Sequence, residues 1–238
     1  MSDLVRVWIV SVDPPPEIAA RCQDVLDDGE RARVRALENP RDRQRFTVAH
    51  GALRILAGRE LGTAPTGLTW TPGRHGKPEF SGLHTSLSHS GDMVAVAIAA
   101  SGDRPVGVDI QNVLASLDTV ALAARYFPAD EAGYVAAGGD ARGQAERFTG
   151  LWVRKEAVVK AAGSRLFPNL KIAVSGRDVV RCAEPAGSYR VADVAANVAA
   201  TAGEAADVAG EAVAAGFRAA VALAGSAPFV VEAAGWGG

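Results

Sequence analysis

One pattern constrains this chain more than any other: a long helical period followed at once by closely spaced strand-like runs, and the pattern occurs twice. In the first round, Asn39 is placed to cap a helix, Pro40 suits its first turn, and Asp42 sits near the positive end of the dipole. Phe46, Ala49, Leu53 and Leu56 then recur at three- and four-residue spacing, giving one apolar stripe, and Gly62 ends it. Strand-like runs follow at His84–Ser88, Met93–Ala100 and Pro105–Gln111, the first two joined by His89-Ser90-Gly91-Asp92. Connections this short imply antiparallel neighbours. In the second round, a helix over Ala145–Ala162 ends at Gly163, and strands are expected near Leu170–Val174, Tyr189–Val194, Arg218–Ala224 and Phe229–Glu232.

The run Ala95-Val96-Ala97-Ile98-Ala99-Ala100-Ser101 is echoed by Ala220-Val221-Ala222-Leu223-Ala224-Gly225-Ser226. The expectation is an α+β chain of two similar halves, residues 1–108 and 109–238, each an antiparallel sheet on a long helix. The length of 238 residues suits two small packed halves, at roughly 150 residues per ordinary domain. Ahead of the repeat, Val5–Val12 reads as a strand stopped by Pro14-Pro15-Pro16, and Asp28–Leu37 as a short charged helix. Leu68–Phe80 reads as a Gly- and Pro-rich loop, and Ala195–Gly216 fits either helix or loop.

Composition narrows the function classes. A net charge of −2 argues against nucleic-acid binding through a broadly basic surface. Cys22 and Cys182 form no CxxC pair, which argues against a disulfide scaffold and a cysteine zinc site. The opening residues lack the pattern of a signal peptide, and the run Met93–Ala100 is too short to span a bilayer. A cytoplasmic, membrane-free protein is expected. Its only lysines are Lys77, Lys155, Lys160 and Lys171; three of them fall in the Gly-Lys-Pro and helical segments discussed below.

Three segments carry chemistry. Ser86-Leu87-Ser88-His89-Ser90-Gly91 offers hydroxyls, an imidazole and open backbone N–H groups, the donors a phosphate needs. Alone it reads first as a hairpin turn whose serines bond their own backbone. In Gly107-Val108-Asp109-Ile110-Gln111, a strand puts Asp109 and Gln111 on one face. A carboxylate flanked by apolar residues needs a partner or a cation, and Mg²⁺ suits such oxygens; an acid capping the next loop is the alternative. In the helix Leu151–Gly163, Trp152, Glu156 and Lys160 are four apart and share a face. That is either a metal-and-phosphate face or an ordinary surface ion pair beside a core tryptophan.

Together these segments resemble the 4'-phosphopantetheinyl transferases of the surfactin (Sfp) type. The family's G-[IV]-D strand motif stands here as Gly107-Val108-Asp109, and its W-x-x-K-E-x-x-x-K helix as Trp152-Val153-Arg154-Lys155-Glu156-Ala157-Val158-Val159-Lys160. Its G-K-P and S-H-S stand as Gly76-Lys77-Pro78 and Ser88-His89-Ser90. The resemblance runs from about Asp28 to Phe167 and implies a reaction. Coenzyme A gives its phosphopantetheine arm to a serine of an apo acyl or peptidyl carrier protein, and 3',5'-ADP leaves. It implies a cleft between two α+β halves of one chain, hence a monomer.

Carried over by position, Asp109 and Glu156 would hold Mg²⁺ (or Mn²⁺) on the coenzyme A pyrophosphate. Gln111 would stand beside them where many members carry an acid, as a neutral oxygen ligand or replaced by water. Lys160 would neutralise the pyrophosphate, with Lys155 as a further coenzyme A contact. Ser88, His89, Arg45 and Arg33 would take the 3'-phosphate, and Lys77 and Pro78 the adenine side. Glu30 lies where some members have lysine. Glu156, directly or through a metal-bound water, is the favoured proton acceptor for the serine, with a metal-bound hydroxide as competitor. Two other readings stand beside this one: an idle module binding coenzyme A or a carrier protein, and a Mg²⁺-dependent nucleotide hydrolase. The arginines of 31–45 are interleaved with acids and read as a solvated helix face; exposed apolar side chains of 115–140 are the alternative surface for the carrier.

Overall fold

The computed structural model describes residues 3–73, 77–99, 103–194 and 216–238. In chain order the strands are β1 (Asp3–Ser11), β2 (Trp70–Pro72), β3 (Pro78–Phe80), β4 (His84–Ser90), β5 (Met93–Ala99), β6 (Val106–Asn112), β7 (Val179–Ala183), β8 (Ala186–Asp193), β9 (Phe217–Ala224) and β10 (Phe229–Gly235). The helices are α1 (Pro16–Asp24), α2 (Asp28–Ala36), α3 (Pro40–Leu61), α4 (Thr119–Tyr126), α5 (Ala129–Ala136), α6 (Ala141–Ala161) and α7 (Leu166–Asn169). The fold is mixed α/β. One sheet has the order β10-β1-β5-β4, the other β6-β9-β8-β7, and β2-β3 forms a small hairpin.

Side-chain size and alternation explain the layering. On β1 and β5, Val5, Val7, Ile9, Ala95, Ala97 and Ala99 turn to one face and meet Val106, Val108, Ile110, Val221 and Leu223 of the second sheet. The opposite face of the first sheet, with Val94, Val96 and Ile98, packs on α3 through Ala49, Ala52, Leu53 and Leu56. The second sheet's outer face takes α6 through Val153, Ala157, Val158 and Ala161. The order is therefore helix, sheet, sheet, helix.

α3 begins at Asn39, whose side chain accepts from Arg41 N, and ends at Gly62 with φ 61°. α6 is capped by Asp140. α2 starts with a capping box in which Asp27 and Glu30 exchange bonds with each other's backbone N–H.

Several expectations from sequence change. β6 is not a ladder neighbour of β5, because the edges of β5 are taken by β1 and β4; it pairs instead with β9. The boundary between 108 and 109 therefore cuts a strand. β10, from the C-terminal part, returns to the first sheet and pairs with β1 in parallel, so that sheet is not wholly antiparallel. Leu170–Val174 forms no strand. Part of its backbone is satisfied by side chains instead: Lys155 Nζ donates to Ile172 O and Val174 N donates to Glu131, while Ile172 N donates to Asn169 O. The loop Leu68–Phe80 contains the β2-β3 hairpin. The echoed alanine-rich runs lie on β5 and β9, an interior strand of each sheet. Residues 195–215, Gly76, Ala100 and Ser101 lie outside the described residues.

Candidate active site

Two strand edges meet where the sheets adjoin, and hydroxyls join them. Alternation on β4 turns Ser86, Ser88 and Ser90 toward β6. Val108 N donates to Ser86 Oγ at 3.0 Å and Asn112 N to Ser90 Oγ at 3.0 Å. Between them Ser88 Oγ donates to Asp109 Oδ1 at 2.6 Å. Side-chain oxygens thus take the place of a backbone ladder along this seam.

On β6, Val108 and Ile110 face the other sheet, so Gly107, Asp109 and Gln111 face the opposite way. Gly107 is what admits the helix. A Cβ there would lie 2.1 Å from Ala157 O and 2.4 Å from Ala161 N of α6. This close approach brings the Glu156–Lys160 face beside Asp109. Lys160 Nζ donates to Asp109 Oδ1 at 2.6 Å and to Ser88 Oγ at 2.9 Å. Asp109 is only 5% exposed, and its Oδ2 is buried without a hydrogen-bond partner. An orphaned carboxylate oxygen in that setting is costly unless a cation or donor meets it.

The electrostatics agree. Glu156 is pushed up to about 7, by burial first and then by the Asp109 charge, with Lys160 opposing. Two carboxylates therefore share too little positive charge. Burial lowers Lys77 to about 8, with Lys160 adding to the effect and Glu79 opposing it. His89 is also lowered, by burial and then by the Arg45 and Lys160 cations. Around Lys77 and His89 the cleft is thus crowded with cations, which Glu79 and Asp109 only partly offset.

Around this centre lies a cleft of about 1180 Å³, lined by Arg33, Arg45, Lys77, Pro78, Ser88, His89, Asp109, Gln111, Glu156 and Lys160. All the site residues expected from sequence are gathered there except one. Lys155 is 0% exposed and points away from the cleft: it donates to Glu131 and Ile172 O and sits 4.6 Å from the Phe127 ring centroid. It is not a coenzyme A contact, because it neighbours Glu156 in sequence but occupies the inner side of α6.

Glu30 is likewise turned inward, bound to Arg54, His50 and Trp70. Arg45 is paired with Asp42, while Lys77 donates to Val106 O at 2.8 Å. Trp152 lines the cleft and stacks on Phe148, which stacks on Phe127.

Sequence reasoning missed Phe46 and His50 as cleft residues. They stack at 3.9 Å between ring centroids and line the wall beside Arg45. Their four-residue spacing, like that of Trp152 and Glu156, was the available signal. Phe167, 74% exposed on α7, lines the cleft and carried no signal at all.

Among the described residues no three His, Cys, Asp or Glu side chains cluster to hold a metal ion. The donor set is two carboxylates, one with a free buried oxygen, in a cleft with several cations. That fits Mg²⁺, which commonly takes one or two carboxylates and completes its shell with water and substrate phosphate oxygens. No helix of the described residues is long and apolar enough to cross a membrane.

Comparison with known proteins gives the same direction. The model of the 4'-phosphopantetheinyl transferase superfamily matches residues 105–214, which includes β6 and α6. A Synechocystis protein named for this activity is 30% identical over 182 residues, 74% of this chain and 72% of its own. The 4'-phosphopantetheinyl transferase HetI of Nostoc is 31% identical over 169 residues, 68% of this chain and 70% of HetI. A 4'-phosphopantetheinyl transferase of Bacillus subtilis is 28% identical over 167 residues, 68% of this chain and 72% of that protein. With two relatives at this identity and coverage, and the superfamily's match spanning the strand and helix that meet at Asp109 and Glu156, the chain is an enzyme of the 4'-phosphopantetheinyl transferase superfamily.

Proposed function

We propose that this chain is a transferase of the surfactin type. It moves the 4'-phosphopantetheine arm of coenzyme A to a serine of an apo acyl or peptidyl carrier protein, with Mg²⁺ as cofactor, and it works as a monomer. The observation that carries this reading is the Ser88–Asp109–Lys160 triangle with its orphaned Asp109 Oδ2 beside Glu156.

Asp109 and Glu156 would hold the metal, which neutralises the coenzyme A pyrophosphate. Lys160 adds a cation at the same place. Arg33, Arg45 and His89, which line the cleft on α2, α3 and the end of β4, would offer donors to the 3'-phosphate, and Lys77 and Pro78 would flank the adenine side. The serine oxygen forms a bond to the phosphorus nearest the pantetheine, the pyrophosphate P–O bond breaks, and 3',5'-ADP leaves with the bond's electron pair. Phosphoryl transfer needs positioning and charge neutralisation above all. Glu156, which burial and the Asp109 charge make more basic than an ordinary carboxylate, would take the serine proton, directly or through a metal-bound water.

Gln111 lines the cleft two residues after Asp109 and supplies a neutral oxygen at most. Metal affinity in this chain therefore leans on the substrate phosphates. Ser88 is already committed to Asp109 and Lys160, so its hydroxyl helps hold the carboxylate end rather than standing free for the 3'-phosphate. Cleft walls from both halves of one chain support the monomer, and the half-exposed Leu117 and Tyr134 support carrier docking along 115–140.

Incubation with coenzyme A, Mg²⁺ and an apo carrier protein tests the reading. A carrier heavier by one phosphopantetheine, with 3',5'-ADP released, is expected. Coenzyme A bound without transfer would mean an idle module, and coenzyme A cleaved without a carrier would mean a hydrolase.

A further inference from the structure

Lys155 and Glu131 are both 0% exposed, and the mechanism uses neither. Lys155 Nζ donates to Glu131 Oε2 and to Ile172 O, while Glu131 Oε1 accepts from Val174 N and from Ser175 N, the latter at 2.8 Å. One buried point thus fastens α5, α6 and the strap 172–175 together. Lys155 is the immediate neighbour of Glu156. Residues turn by about 100° per position in a helix, so any rotation or slide of α6 that moved Glu156 would pull Lys155 off its partners.

The same device stands in the other half. Glu30, in the first turn of α2, binds Arg54 of α3, and Arg54 also donates to Asp27 and to Leu68 O at 2.9 Å. Each acid precedes its base by 24 residues. Each acid sits in the first turn of a short helix, and each base reaches a carbonyl in the segment after its long helix. The Glu30 clamp holds α2 and α3, the helices that carry Arg33 and Arg45. Buried ion pairs add little net stability over apolar residues of similar size; their best-attested use is fixing register.

We propose that the cleft is positioned from below by two separate ion-pair clamps. Glu131–Lys155 sets the carboxylate end, Asp109 and Glu156, and Glu30–Arg54 sets the cationic end, Arg33 and Arg45. All four are positioning residues. The assignment rests on the proposed roles of those two ends.

The test uses the full chain with Glu131→Gln, the charge-balanced double variant Glu131→Gln/Lys155→Met, and Glu30→Gln. Each is measured at a temperature where circular dichroism shows it folded. Mn²⁺ binding is followed by electron paramagnetic resonance without substrates, and kcat and KM for coenzyme A are measured at saturating Mg²⁺. The two Glu131 variants are expected to weaken Mn²⁺ binding and lower kcat, each by about fivefold or more, while KM moves less than about twofold. Glu30→Gln should raise KM by about fivefold or more and leave Mn²⁺ binding unchanged.

Folded variants whose kcat, KM and Mn²⁺ affinity all match wild type would overturn the proposal. So would losses that only track the unfolded fraction, because the pairs would then serve stability alone. Wild-type protein that binds no Mn²⁺ and transfers nothing would instead overturn the functional reading on which the clamps rest.

Discussion

Lys160 and Asp109 divide one carboxylate between them: the ammonium lies 2.6 Å from Oδ1, and Oδ2 is left buried and unpaired. The lysine thus holds half of the acid while the other half stays open to a cation. Lys160→Met removes the charge and keeps the stem. We expect kcat to fall about 100-fold or more, the usual scale for losing one charge-stabilising donor in a phosphoryl or acyl site. Steady-state transfer assays check this, and a kcat within about threefold of wild type would contradict it.

Gly107 is the point where β6 and α6 touch. Gly107→Ala would put a methyl 2.1 Å from Ala157 O, so strand and helix must separate. Overpacking of this kind costs about 1–3 kcal/mol. Denaturant unfolding should show that loss, and activity should fall further than stability, because the same shift parts Glu156 from Asp109. An alanine variant with unchanged stability would mean the contact yields easily.

Lys77 gives the pH dependence. Its ammonium is held near 8, well below the ordinary lysine range, so it is charged below pH 8 and neutral above it. The negative charge of bound coenzyme A favours the ammonium even from the adenine side, and coenzyme A should therefore bind more weakly as pH rises from 7.5 to 9.5, by about fivefold or more. Lys77→Arg keeps its charge throughout and should flatten the profile. Parallel profiles in the two proteins would show that Lys77 does not sense the charge of the bound coenzyme A.

Gln111→Glu adds an acid next to the orphaned Asp109 oxygen. Mn²⁺ affinity without substrate should rise by about tenfold, the usual scale of one added carboxylate ligand or near-neighbour charge. Unchanged affinity by paramagnetic resonance would show that residue 111 does not reach the ion.

The parts of this site that local physics dictates were readable in advance. Strand alternation fixed the faces of Asp109 and Gln111, and helical spacing joined Glu156 to Lys160. Cap residues marked both ends of α3. What escaped reading depended on partners distant in the chain. Lys155 sits one position from Glu156, and no local pattern says which of the two turns inward; that is settled by Glu131, 24 residues earlier. Leu170–Val174 has the composition of a strand, yet its backbone bonds go to side chains of α5 and α6. β10 was readable as a strand, but its place beside β1 follows from an apolar edge that only the assembled sheet creates. Glu30 was legible only as an acid where some members of the family have lysine, and its inward turn to Arg54 was hidden for the same reason.

Mass spectrometry of an apo carrier protein incubated with coenzyme A and Mg²⁺ is the most direct test. Wild-type protein should add a single phosphopantetheine to the carrier serine, while Asp109→Asn and Glu156→Gln, folded by circular dichroism, should leave it almost entirely unmodified. A carrier modified by those two variants at the wild-type rate would contradict the assignment of the catalytic centre to this pair of carboxylates.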